Sequence, residues 1–275
     1  MRSLGTQRFY VPRAEASAVG GYLEEPIRKV LPTLAPASLP PVGGYSVGRS
    51  GAFNLEEIIS CSSAFTRVSS HEEPKSGSRS ILVTAVVEDL NILEVVRAER
   101  VVAQLSIVIP AERGPIAICL AGSGFQGLTL AGHQCDLALN PILRLESERA
   151  EGASTLTYAE AHVAGGKQAE SLLACFKSRG EEDLYQWALR RHGWMTSASS
   201  SGNALCSLVD GLKVAHPSHS CGHIVHIPQF GRFFFGELLL SAHSAQFIGI
   251  RAELGCPVVG QVAVTSVGGG GSGDN

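Results

Sequence analysis

The sequence predicts a mainly β protein: an antiparallel sandwich, or a barrel-like variant of one, with an inserted α-helical segment. Three observations lead there. Runs rich in Val, Ile, Thr and Leu alternate with period two on both sides of the chain's middle. Turn residues punctuate those runs, with 31 Gly and 13 Pro among 275 residues. Apart from one short piece near 21–31, helical spacing is confined to the stretch between the two β portions, so the β-α-β alternation that a parallel sheet needs is missing.

Residues 1–42 hold six prolines, Pro12, Pro26, Pro32, Pro36, Pro40 and Pro41. Each lacks a backbone donor and biases its predecessor toward extended structure. The expectation is a Pro-rich arm laid on the surface, with one helical piece near 21–31. Strands are then expected over 56–69, 80–88, 92–110, 115–121 and 127–139. The run Val101–Ile109 follows Ala98-Glu99-Arg100, a helix-like lead, but its β-branched density and Pro110 favour a strand.

Between 141 and 202 the period changes. Ala159, His162, Val163, Ala169, Leu172, Leu173 and Phe176 fall near helical spacing, and Gly165-Gly166 interrupts them, which predicts a helix starting after the pair. Glu181-Glu182-Asp183 opens a second helix that ends on Arg190-Arg191, an order that suits the helix dipole, with Gly193 as its stop. After a Ser/Gly linker the strand pattern resumes at 204–214, 224–227, 232–241, 247–253 and 258–266. The β core is therefore expected over 43–140 plus 203–266, the helical insertion over 141–202, and a flexible tail over 267–275.

Charge limits the partners. There are 22 basic and 25 acidic residues, for a net charge of -3, and no basic cluster exceeds the pair Arg190-Arg191. Nucleic-acid affinity rests on neutralised phosphates, so a nucleic-acid partner is not expected. Only five Asp are present, which disfavours carboxylate-rich calcium cages. The seven Cys form no C-x-x-C and lie in apolar contexts. They read as mostly reduced core residues. No apolar run has the form of a signal peptide or a membrane-spanning helix, so a cytoplasmic location is expected, with a removed signal left open.

Gly122, Gly124 and Gly127 spell G-x-G-x-x-G, but strand-like alternation follows them and no acidic residue stands about 20 positions on. A Gly-rich hairpin or bulge is the reading. Gly165-Gly166-Lys167 lacks the first glycine of a phosphate loop, since position 161 is Ala, and lacks its hydroxyl, since Gln168 follows. The chemical candidate is the stretch from His216 to His226, with His219, Cys221 and His223 between. Imidazole and thiolate are the usual zinc ligands. On a strand His219, Cys221 and His223 share one face, and a bend brings in His216 or His226. The alternative is a hairpin whose histidines bond locally. Arg251 and Glu253, with Glu237, are the only Asp, Glu, Lys or Arg between Arg232 and Asp274, and they suit same-face pairing across a sheet. Phe233-Phe234-Phe235 suits a strand covered on both faces.

The segments Leu39–Tyr45, Leu82–Val102, Gly222–Pro228, Phe230–Leu238 and Ile250–Gly255 together resemble a group of uncharacterised bacterial hypothetical proteins, mostly β with a variable helical middle. There is a fainter likeness to bacterial surface modules of the choice-of-anchor type, without their sorting signal. Neither resemblance implies an activity. The leading expectation is a non-enzymatic binding or assembly module, acting on a protein partner or on a second copy of itself. The alternative is a metal-dependent enzyme or metal-stabilised β protein using His216–His226. A glycan-binding sandwich is a third reading, weakened because Trp187 and Trp194 lie in the helical insertion.

Overall fold

The computed structural model describes residues 11–25, 27–40, 42–111, 116–144, 155–197, 202–214, 219–241, 243–255 and 259–272. Among them the chain forms two antiparallel sheets packed face to face, with a helical pair against one end of the first. The first described strands are β1 (Val11–Glu25), β2 (Lys29–Leu34) and β3 (Ala37–Ser38). It then builds the second sheet with β4 (Gly44–Ser50), β5 (Phe53–Leu55), β6 (Ile59–Cys61), β7 (Ser63–Glu72), β8 (Arg79–Ile92) and β9 (Val96–Ile109). Shorter strands β10 (Ala117–Cys119), β11 (Gly124–Gln126), β12 (Thr129–Leu130) and β13 (His133–Leu139) follow.

The helical segment holds α1 (Pro141–Arg144), β14 (Leu156–Thr157), α2 (Tyr158–Ser178), α3 (Glu182–His192) and a 3-10 turn at Gly193–Thr196. The chain closes with β15 (Asn203–Ser207), β16 (Val209–Val214), β17 (His219–Cys221), β18 (Ile224–Ile227), β19 (Gly231–Ser241), β20 (Ser244–Leu254) and β21 (Val259–Ser272). The first sheet runs β17-β18-β19-β20-β21-β1-β2, with β15 beside β19 and β3 beside β1. The second runs β16-β13-β12-β9-β8-β6-β5, with β7 beside β8 and β4 beside β7.

Two stretches expected outside the sheets lie within them. The supposed arm supplies β1, which pairs with β21 from Val11 to Glu25 and buries Ala14, Ala16, Ala18 and Val19 between the sheets. Among the described residues no helix forms near 21–31; Gly21 to Leu23 instead pair with Leu31 to Lys29. Pro32 and Pro36 are tolerated because they lie on or beside edge strands, where a missing donor costs no ladder bond. The supposed tail is strand as far as Ser272, because its glycines fit between two neighbours: a Cβ at Gly270 would collide with the His243 carbonyl.

Strand alternation breaks once along β19, and this break positions the site described below. Phe233 and Phe235 point into the inter-sheet core, but so do Leu238 and Leu240. The phase change falls at Gly236, whose φ of 65° is a left-handed value that glycine adopts at no steric cost. Phe234 and Glu237 thereby share the opposite face, which the helices cover. The Phe run is thus covered on both sides, as its sequence suggested.

Both expected helices form. Thr157 caps α2 in a capping box with Glu160, and the acidic start and basic end of α3 are as read. The helix α2 does not begin after Gly165-Gly166; it runs through them. Gly165 is buried against β15, and a Cβ there would overlap the Leu205 carbonyl oxygen and come within 2.9 Å of the Met195 methyl. The glycine is an approach point for the strand rather than a break. Gly165→Val should push α2 off β15 and cost about 2 kcal/mol, read as a lower urea midpoint at an unchanged slope. An unchanged midpoint would show that the close approach is dispensable. Among the described residues, no helix is long and apolar enough to cross a membrane.

Candidate functional site

Two features stand out: a charged cluster under α3, and an open groove on the outer face of the first sheet.

The cluster is built on the pairing of β19 with β20. Register places Arg232 opposite Glu253 and Phe234 opposite Arg251, and the Gly236 phase change adds Glu237 to their face. Glu237 is 5% exposed and sits at the centre. Its carboxylate accepts from Arg251 Nε at 2.7 Å and from Arg191 Nη2 of α3 at 2.7 Å. The His223 Nε2 stands 3.7 Å away, too far for a hydrogen bond. Arg251 also donates to Glu253, which Arg232 meets at 3.3 Å. The guanidinium groups of Arg251 and Arg191 lie 3.7 and 4.9 Å from the Phe234 ring centroid, and that of Arg232 lies 4.2 Å from Trp187. Three arginines and two glutamates therefore form one network across two strands and a helix.

Burial alone would push the Glu237 carboxyl up. The neighbouring His223 and the charges of Arg251 and Arg191 together outweigh it and hold Glu237 well below the usual carboxylate range. Burial would likewise lower Arg251, but Glu237 and Glu253 raise it instead. His192, 3% exposed, is pushed down to about 3, by burial first and then by His223, Arg191 and Arg251, against the opposing charge of Glu237. Its ring centroid lies 5.8 Å from that of His223. Glu237 thus stays ionised and His192 stays neutral near pH 7. A carboxylate fixed between two arginines is poorly suited to donating a proton; what the cluster does in this arrangement is seat α3 on the sheet.

The His216–His226 stretch has a different geometry from the one its spacing suggested. His219, Cys221 and His223 do not share one strand face, because the chain turns at Gly222-His223 between β17 and β18. In the resulting hairpin His219 pairs with His226 and Cys221 with Ile224. His223 sits in the turn, and its carbonyl accepts from Phe235 N. His216 and the side chain of His219 lie outside the described residues. Cys221 is bonded to Cys175 of α2 in a disulfide, so its sulfur carries no thiolate for a metal in this state. The bridge takes Cys175 and Cys221 out of the reduced set, while the other four described cysteines, Cys61, Cys119, Cys135 and Cys206, are free, and Cys256 lies outside the described residues. Residues 46 apart in sequence left no local signal of the pairing. Among the described residues no three His, Cys, Asp or Glu side chains group in a way that would hold a metal ion.

The groove lies where β19, β20, β21 and β1 turn their outer face to solvent, with a volume of about 1120 Å³. Its floor follows the strand register. One row runs Leu239, Gln246, Gly268, Glu15 and Ser38, and a second runs Ser244, Gly270 and Arg13. Ser266 and Ser17 form a third. The outward positions of β21 are thus Ser266, Gly268 and Gly270, small residues between larger ones on β20 and β1, and this makes the trough. Arg13 and Glu15 give it one charge of each sign.

The fold and these two features define a β-sandwich module with a helical cap docked by a buried ionic network. A family model described as a domain of unknown function (DUF8256) matches residues 9–241, and the chain belongs to that family. Strands β20 and β21, which complete the first sheet and supply Arg251 and Glu253, lie beyond the matched stretch. Searches of curated proteins and of solved structures found no match.

Proposed function

We propose that the protein is a non-catalytic binding module that holds an extended, hydroxyl-rich chain, an oligosaccharide, in the groove along β21. The groove itself carries this reading. Its volume of about 1120 Å³ exceeds the range of roughly 300–1,000 Å³ usual for small-molecule pockets, which suits an oligomer. Its floor offers Ser and Gln side chains, and Arg13 and Glu15 balance in charge, so neutral hydrogen-bonding groups match it better than a polyanion. The floor strands β20, β21 and β1 are each paired on both sides. Their backbone groups are used, which argues against a peptide adding a strand and leaves recognition to side chains. No comparable support exists for the metal reading among the described residues.

The test is a panel of neutral and acidic oligosaccharides screened against the wild type, Ser266→Trp and Gln246→Ala. Ser266→Trp fills the trough from the solvent side, and Gln246→Ala removes an exposed amide. Binding of a neutral oligosaccharide, weakened roughly tenfold or more by either change, is the expected result. Absence of binding across the panel, or binding that survives Ser266→Trp, refutes the reading.

A further inference from the structure

We propose that Cys175–Cys221 is a redox latch on the helical cap, so that its reduction releases α3 and the β17–β18 hairpin while leaving the sandwich folded. The bridge joins α2 to the hairpin, and neither sheet's central pairing depends on it. Beneath it lies an interface that is poorly satisfied. The Nε2 of His192 and the Nε of Arg191 are buried without a hydrogen-bond partner, and the His223 Nε2 reaches the Glu237 carboxylate only at 3.7 Å; each such group opposes closure of α3 on the sheet. Beside the bridge the noncovalent ties are one hydrogen bond, from Arg179 to the Ser220 carbonyl at 2.7 Å, the Arg191–Glu237 pair, and a small apolar cluster in which Leu172, Phe176 and Ala188 of the helices meet Cys221, Ile224 and Phe234, far smaller than either inter-sheet core. The sheet side does not need α3. With the helix gone, Arg251 keeps both Glu237 and Glu253, and the inter-sheet cores contain no α3 residue.

The two sulfurs differ in access, which sets the direction of the chemistry. Cys175 is half-buried, whereas Cys221 is 1% exposed among Ile224, Phe234 and Leu172. A dithiol reductant attacks Cys175 Sγ as a thiolate, forming a mixed disulfide and expelling Cys221 as thiolate. The second thiol of the reductant then displaces Cys175. The protein gains two electrons and two protons as two thiols, and the reductant leaves as its own disulfide. Opening uncovers Phe234, Glu237 and His223.

The experiment uses the full chain, oxidised and after treatment with dithiothreitol, followed by hydrogen exchange with mass spectrometry. Exchange in 182–192 and 219–227 should rise roughly tenfold or more, with 79–92 and 244–254 unchanged. The Cys175→Ser/Cys221→Ser double variant should give the same pattern without reductant; if it does not fold, the reduced wild type decides. A bridge that resists dithiothreitol in the folded protein overturns the proposal. So does exchange that rises uniformly, which marks an ordinary staple, and so does exchange that does not change.

Discussion

Glu237→Ala should lower the free energy of unfolding by about 3–5 kcal/mol, the range for breaking a buried ion pair from one side. The physical loss is not the attraction alone. Glu237 is the partner of Arg251, 5% exposed, and of the inner face of Arg191. Removing the carboxylate leaves two guanidinium groups that both reached it, 4.9 and 3.7 Å from the Phe234 ring centroid, with Glu253 as the one remaining counter-charge on Arg251. Like charges then repel in a space that excludes water. Urea unfolding at pH 7 reads the effect, and a loss below about 1 kcal/mol would show the network to be no stronger than a surface pair.

A paired replacement separates the charge from its surroundings. In Glu237→Leu/Arg251→Met the two nearly fully buried charges go together, Arg191, 26% exposed, is the one group left without its carboxylate, and Phe234 and the helix keep an apolar surface. Most of the stability lost in Glu237→Ala should return, because burying two ions costs nearly what their attraction contributes. If the double variant is as unstable as the single one, the network contributes net stability and is more than a docking device. Arg191 provides a further check. Its side chain is 26% exposed, so Arg191→Met should cost clearly less than Glu237→Ala.

How much of this was legible in the sequence differs by element. The long strands and both helices follow from periodicity, because burial on one face writes the period directly. The acid and base groups Glu237, Arg251 and Glu253 were readable as a set, since the run from Arg232 to Asp274 carries so few others. Their partners on α3 were not. Arg191 and His192 sit at the basic end of a helix, where such residues are ordinary, and only the docking of α3 turns them inward. The pleat reversal at Gly236 was equally hidden. It puts Phe234 and Glu237 on one face although they are three apart, which strict alternation forbids. The place of β1 was missed for another reason: prolines in 1–42 outweighed the alternation of Ala14, Ala16 and Ala18, a real strand signal carried by small residues.

Mild acid should destabilise the protein before most of its carboxylates titrate. His192 in the fold is held to about 3, against an ordinary value of 6.5. Between those values the unfolded chain binds a proton that the native chain excludes. The contribution of neutral His192 is therefore fully present above pH 6.5 and is lost as pH falls toward 3, at up to about 1.4 kcal/mol per pH unit. Glu237 acts with the same sign but lower down. Its folded value lies well below the ordinary 4.5, so its contribution is fully present above 4.5 and is lost as pH falls from there to the folded value. The interval from pH 6.5 to 4.5 thus isolates the histidine. His192→Phe keeps a ring against Trp187 and His223, which lie 6.5 and 5.8 Å away by ring centroid, and removes the titrating group. Urea unfolding at pH 7.5, 6.0 and 5.0 should show the wild type losing stability faster than the variant. Parallel profiles would mean that α3 lifts away from the sheet as the histidine protonates, with no cost to the rest of the fold. The slope therefore reports whether the cap and the sandwich unfold as one unit, since only a cap that stays docked can keep His192 neutral as the pH falls.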